Sequence, residues 1–217
     1  MGSRVLTILL AIAIGVAAVI LAPRLAAYRL PENQQGYEPV QPIAFSHRLH
    51  AGELKIDCQY CHWAAEKSRH AGIPAANICM NCHRFVTAPL GSMRAEFKRA
   101  RKEGRKPKRV MAPEIGKIYT ALGLNEKGRR DPALTPRPIA WVKVYNLPDF
   151  VYFDHRAHLL SGVACQRCHG PVERMERVRQ VPTLEMGWCV NCHRTVNRSG
   201  VNGRRVHAST DCVTCHF

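Results

Sequence analysis

The chain has 217 residues, enough for one or two domains, and a formal net charge of +16 from 32 basic and 16 acidic residues. Beyond the first 30 positions, large apolar side chains are too sparse for a core beside each part of so small a chain. These numbers exclude an ordinary globular protein whose interior is made of side chains alone, so something else must fill much of it.

The first predicted element is an apolar helix. Residues 5–22 run for 18 positions without a charge, and a helix of that length spans about 27 Å, close to the hydrocarbon thickness of a bilayer. A cleaved signal peptide is the alternative, but its apolar region usually covers about 7–15 residues. We therefore predict a membrane anchor within residues 1–30.

All ten cysteines lie in five copies of the pattern Cys-x-x-Cys-His. On a helical turn both thiols of a pair share a face and can bond the two vinyl groups of one porphyrin, while the histidine reaches its iron. We number the copies motif 1 (Cys58, Cys61, His62), motif 2 (Cys79, Cys82, His83), motif 3 (Cys165, Cys168, His169), motif 4 (Cys189, Cys192, His193) and motif 5 (Cys212, Cys215, His216). This pattern predicts five covalently bound haem c groups, each with the motif histidine as an iron ligand.

Two other uses of paired cysteines compete with haem attachment. Zinc sites and redox dithiols also contain Cys-x-x-Cys. A structural four-cysteine zinc site consumes two pairs, however, and five pairs cannot be divided that way. Disulfides would not require a histidine after every pair.

The second iron ligands are predicted among the other histidines. His47 with His50, and His155 with His158, form two His-x-x-His units whose rings point the same way on a helix, so each unit can serve two neighbouring haems. Six histidines outside the motifs meet five open iron positions: His47, His50, His70, His155, His158 and His207. A thioether from Met175 or Met186 is the alternative at one haem.

An internal repeat of about 108 residues organises the chain, because Phe-x-His-x-x-His precedes motif 1 at Phe45 and motif 3 at Phe153. We predict a dihaem module at 31–90, a basic connector at 91–140 and a trihaem module at 141–217. The predicted fold is mostly α-helical and irregular, with little β-structure and with haem packed into its interior.

The connector contains a dense basic run. Residues 94–109 hold nine lysines and arginines against Glu96 and Glu103. Nucleic acid is excluded as a partner, since haem c is attached only after export from the cytoplasm. An anionic membrane surface, an acidic partner subunit and a merely solvated helix face remain open.

Haem attachment also decides the predicted orientation. Arg24 and Arg29 after the apolar helix outnumber Arg4 before it, which by charge counting favours a cytoplasmic C-terminal side. Attachment after export overrides that count. We predict a single-pass protein of the inner membrane with its haem domain on the periplasmic side.

The Phe-x-His-x-x-His pattern before Cys-x-x-Cys-His resembles the small multihaem cytochromes of the c3 and c7 type. The resemblance implies that His47 serves the haem of motif 1 and His155 that of motif 3.

The larger pattern is similar to the pentahaem, membrane-anchored cytochrome subunit of alternative complex III, a quinol:acceptor oxidoreductase. The similarity rests on one N-terminal helix, motifs split two and three, and residues 141–155 and 184–189. It implies partners: an iron–sulfur subunit, polytopic quinol-oxidising subunits, a monohaem cytochrome c and an electron acceptor protein.

The predicted function is electron relay, without catalysis by the chain on its own. A catalytic multihaem reductase needs an open iron position, which the surplus of histidines disfavours, and no Cys-x-x-Cys-Lys variant occurs. A free-standing membrane-anchored quinol dehydrogenase is the remaining alternative.

Overall fold

The computed structural model describes residues 2–27 and 34–216. Nine α-helices occur in these ranges: α1 Gly2–Ala27, α2 Cys58–Cys61, α3 Ala76–His83, α4 Leu90–Lys102, α5 Pro113–Ala121, α6 His155–Leu160, α7 Gln166–His169, α8 Met186–Ser199 and α9 Cys212–Cys215. Arg48–Glu53 form a π-helical turn, and Trp63–Glu66 and Val172–Arg174 form 3₁₀ turns. Pairing of β type is limited there to three isolated bridges. The prediction of a mostly helical and irregular fold is confirmed.

Helix α1 is apolar on all sides. Its window Arg4–Ala22 has a mean hydropathy of 3.0, and the described side chains within it are exposed. A helix that is apolar all round suits lipid, where its backbone groups bond each other. Among the described residues it is the one helix that could cross a membrane by length and composition.

The side-chain core is small and lies beside motif 2. Seven hydrophobic residues are buried in the described part of the chain. Four of them, Ile43, Met80, Ile118 and Tyr119, form one cluster between α3 and α5. Helix α5 starts with Pro113, which suits a first helical position because its missing N–H needs no partner there. The Tyr119 hydroxyl donates to the His83 carbonyl over 2.9 Å and ties this core to the motif.

The two halves of the repeat pack on each other reciprocally. The π-helical turn of the first half lies against the 3₁₀ turn after motif 3, and α6 of the second half lies against the 3₁₀ turn after motif 1. The Arg48 amide donates to the Met175 carbonyl (2.9 Å), and the His155 amide donates to the Arg69 carbonyl (3.1 Å). Each His-x-x-His unit is therefore held by the turn that follows a motif of the other half.

Candidate functional site: five cysteine–histidine motifs

Each motif forms a helical turn, as the spacing predicts. The amides of His62, His169 and His216 donate to the carbonyl of the first cysteine of their own motif, each over 2.9 Å. Asp57 starts α2 by accepting from the Gln59 amide at 2.7 Å. All ten cysteines are outside disulfides, and all are exposed or half-buried. Both thiols of each pair are thus available on one short element.

The thiols of different motifs are close neighbours, and burial raises the pKa of several of them. Burial raises the pKa of Cys168 to about 11, with the neighbouring Cys192 and Cys189 thiols adding to the effect. The neighbouring thiols are Cys61 with Cys79 and Cys82, Cys58 with Cys165, Cys168 with Cys189 and Cys192, and Cys189 with Cys215. Thiols of motif 1 therefore lie near those of motifs 2 and 3, and thiols of motif 4 lie near those of motifs 3 and 5.

Three motif histidines face a histidine from a His-x-x-His unit. The ring centroids are 6.1 Å apart for His50 and His83, 6.3 Å for His155 and His169, and 6.0 Å for His158 and His193. Two imidazoles on opposite sides of one metal, with metal–nitrogen bonds of about 2.1 Å, place their ring centres about 6 Å apart. The three pairs have the spacing that one iron ligated from both sides requires.

His47 lies near the histidine of motif 1. Burial lowers the pKa of His47 to about 4, and the nearby His62, His50 and His169 lower it further. Burial likewise lowers the pKa of His169 to about 4, together with His155 and His62. These rings are neutral at pH 7, which is the form that ligates iron. The Nδ1 atom of His47 is buried without a hydrogen-bond partner among the described residues.

Backbone carbonyls fix the orientation of six rings. Each of these histidines has its Nδ1 within hydrogen-bond distance of a carbonyl oxygen, at 2.5–2.9 Å. The pairs are His50 with Ser46, His62 with Gly72, His83 with Val86, His155 with Arg69, His158 with Asp154 and His193 with Ser209. A ring that donates from Nδ1 keeps the lone pair of Nε2 free for a metal.

The surroundings of motif 5 differ. His216 lies near Phe150, with ring centroids 5.8 Å apart. Within residues 34–216 neither His70 nor His207 makes a ring contact with a motif histidine, and both side chains are exposed. Met175 is buried, whereas Met186 is exposed at the start of α8. Among the described residues, no predicted histidine ligand is therefore in ring contact with His216 of motif 5.

Aromatic residues that the sequence analysis gave no role hold the histidines in place. Phe45 stacks on His50 at 4.3 Å and meets the edge of His47 at 4.9 Å. Phe153 packs in the same way on His158 at 4.6 Å and on His155 at 4.8 Å. The signal that identifies these residues is the repeat itself, since each phenylalanine stands two positions before its His-x-x-His unit.

Tyr145 was missed as well. Its ring lies 4.5 Å from that of His169, and its hydroxyl donates to the carbonyls of His169 and Arg179. A tyrosine also stands eight residues before the phenylalanine in the first half, at Tyr37. A position-by-position comparison of the two halves identifies both Tyr37 and Tyr145.

Large apolar side chains near the motifs are exposed. Examples are Trp63 (56%), Phe85 (76%), Leu160 (67%) and Val213 (86%). The donor set fits haem c, because the thiols lie on motif turns, histidine rings face each other across the width of one metal, and exposed apolar side chains lie near them.

Residues 151–217 match a family model described as cytochrome c7 and related cytochrome c. The chain carries a c7-type multihaem cytochrome domain. This match covers motifs 3 to 5, and the histidine pairs of motifs 3 and 4 lie inside it. A relative resembles a larger part of the chain, with 26% identity over 198 residues, covering 81% of this chain and 76% of the relative. That relative is the multihaem cytochrome c subunit of a menaquinone reductase from Nitratidesulfovibrio vulgaris.

Proposed function

We propose that the chain is the pentahaem electron-relay subunit of a membrane quinone oxidoreductase. The observation that carries the proposal is the set of histidine pairs spaced for one iron each and placed between neighbouring motifs. When bound, haem c supplies reversible one-electron oxidation and reduction of its iron. The c7-type domain and the relative's place in a menaquinone reductase support the same reading.

The geometry supports a specific set of attachment and ligand residues. The cysteines of motifs 1 to 5 would form the thioether bonds, and the five motif histidines would be the proximal ligands. The proposed distal ligands are His47 for motif 1, His50 for motif 2, His155 for motif 3 and His158 for motif 4. For motif 5 the candidates are His70 and His207, with Met175 and Met186 as the thioether alternatives.

The chain's own residues would set the spacing and the chemistry. Because His155 and His158 are three residues apart on α6, they keep motifs 3 and 4 adjacent. Histidine rings on both sides of the irons of motifs 2, 3 and 4 would leave no open position for a substrate there, which favours relay over catalysis. The exposed helix α1 would hold the relay at the membrane, with the haem domain on the periplasmic side.

The finer proposal is a subunit of the alternative complex III kind, passing electrons from quinol oxidation towards an external acceptor. Its partners would be an iron–sulfur subunit, polytopic quinol-oxidising subunits and a monohaem cytochrome c. In a second candidate function the electrons flow in the opposite direction, because the relative belongs to a menaquinone reductase. In that case the chain would deliver electrons towards the quinone.

Two measurements test these proposals. The mass of the intact purified chain should exceed that of the polypeptide by five haem groups, and a lower count would overturn the pentahaem proposal. The native complex, solubilised and purified through this chain, should then be mixed anaerobically with menaquinol or menaquinone. Rapid haem reduction by menaquinol supports the first direction, and rapid oxidation of pre-reduced haem by menaquinone supports the second.

A further inference from the structure

One face of α4 carries four basic residues. Arg94, Lys98, Arg101 and Lys102 occupy positions i, i+4, i+7 and i+8, which lie together on one side of a helix. All four are exposed, whereas Ala100 on the other side is 1% exposed and Glu96 is half-buried. We call these four residues the basic face.

The basic face is not neutralised within the described residues. The two acidic residues of this segment, Glu96 and Glu103, both pair with Arg105, each at 2.6 Å. No carboxylate in residues 34–216 lies within ion-pair distance of the basic face. Like charges four residues apart destabilise a helix, so the face costs stability in the free chain. A partner of opposite charge would remove that cost.

The basic face lies on a segment that is bonded to the residue after motif 2. Glu96 accepts from the Lys108 amide at 2.8 Å, and the adjacent Arg109 donates to the Arg84 carbonyl at 3.0 Å. Arg84 directly follows His83 of motif 2. The segment that bears the basic face is therefore fastened to motif 2.

We propose that the basic face is the docking surface for an acidic redox protein that exchanges single electrons with the centre at motif 2. This inference rests on the proposed relay function. The exchange forms and breaks no bond, and the partner is oxidised when the chain is reduced, or the reverse. Oppositely charged patches steer such encounters and give rapid association, and transient redox complexes use small interfaces.

A protein partner fits the helix better than a lipid surface does. A helix that lies in the membrane interface buries a broad apolar face beneath its basic residues. In α4 the side away from the basic face is occupied by the protein itself, through Ala100 and the Glu96–Arg105 pair. The apolar surface left over is confined to Leu90 and Phe97, at 60% and 58% exposure, beside the basic face. Such a small contact suits the edge of a protein interface.

The test uses the haem-loaded full chain in detergent and a small acidic [2Fe–2S] ferredoxin as the probe. Binding is measured by calorimetry at low and high salt. The variant Arg94→Glu with Lys98→Glu should weaken ferredoxin binding by about tenfold and reduce its dependence on salt. The control Arg198→Glu with Arg205→Glu makes the same change in net charge at exposed sites near motif 4, and should change binding less than about twofold.

Each outcome decides the inference. Equal loss of ferredoxin binding in both variants would show that only net charge matters and would overturn the proposal.

A second experiment uses the chain in nanodiscs and measures the reactivity of Lys98 and Lys102 towards an amine reagent by mass spectrometry. Protection by anionic lipid, with ferredoxin binding unchanged by the substitutions, would assign the face to the membrane and overturn the proposal. Haem content and reducibility by dithionite test the relay function separately. A failure of the relay function can therefore be distinguished from a failure of the docking proposal.

Discussion

At the scale of single residues, the backbone fixes the orientation of the histidine rings. Six Nδ1 atoms lie against carbonyl oxygens, and a ring that donates from Nδ1 keeps its Nε2 lone pair free for a metal. Phe45 and Phe153 pack on both histidines of their own unit and limit the rotation of those rings. Ring orientation therefore comes from many short-range contacts.

Replacement of one distal histidine should change one centre. In His50→Ala, motif 2 would keep its thioether bonds and His83 but lose the ring 6.1 Å away. About one fifth of the iron should become high-spin, because a haem with one protein ligand has an open position. Electron paramagnetic resonance of the oxidised protein measures this fraction. His50→Met should restore six-coordinate iron and raise the potential of that centre.

The result has a clear control. Lys127 is exposed and is not a candidate iron ligand, so Lys127→Ala should leave the high-spin fraction unchanged. An unchanged spectrum in His50→Ala would show that His50 is not the partner of His83.

At the scale of elements, the reciprocal packing of the two halves requires a glycine. A Cβ atom added at Gly52, in the π-helical turn, would overlap the carbonyl oxygen of Glu173 in the facing 3₁₀ turn. The overlap involves rigid backbone, so one of the turns must move. Since His50 lies in the same turn, movement there would shift the rings that face motifs 1 and 2.

We therefore expect Gly52→Ala to destabilise the chain by about 1–3 kcal/mol, the usual effect of overpacking. The low-spin spectra of motifs 1 and 2 should broaden as well. Gly91→Ala in α4 is the matched control, because an added Cβ there meets no atom within 4 Å. Thermal unfolding followed by haem absorbance measures both. Equal melting temperatures for the two variants would contradict the close packing at Gly52.

The segment that bears the basic face should be sensitive to acid. The hydrogen bond from Arg105, with a further bond from the Lys108 amide, holds the pKa of Glu96 at about 2, below its ordinary value of 4.5. A lowered pKa means that the stabilisation is complete above about pH 4.5 and is lost as pH falls towards 2. The protection factor of the Lys108 amide against hydrogen exchange, which corrects for the intrinsic pH dependence of exchange, should therefore fall over that range. In Glu96→Gln the protection factor should already be low at neutral pH and change little on acidification.

At the scale of the whole molecule, chain order and spatial order differ. The spacing of cysteines and histidines was sufficient to predict the motif turns, the His-x-x-His units and the absence of an ordinary core. It was insufficient to predict that motif 1 meets motif 3, with Cys58 beside Cys165, because that contact arises from packing between distant halves. Tyr37 and Tyr145 were visible in the repeat but lie outside the Cys-x-x-Cys-His and His-x-x-His patterns.

The apolar composition of α1 leads to a prediction about activity. Quinol oxidation releases protons and therefore needs a cleft with proton acceptors near the bilayer. Residues 5–22 contain no ionisable side chain that could accept them. The purified haem-loaded chain should thus be fully reduced by dithionite yet show negligible quinol:acceptor turnover, measured by acceptor absorbance with a short-chain quinol. The native complex purified through the same chain should be active, and substitution of His50 should slow it. Turnover by the isolated chain at the rate of the complex would favour a free-standing quinol dehydrogenase over a relay subunit.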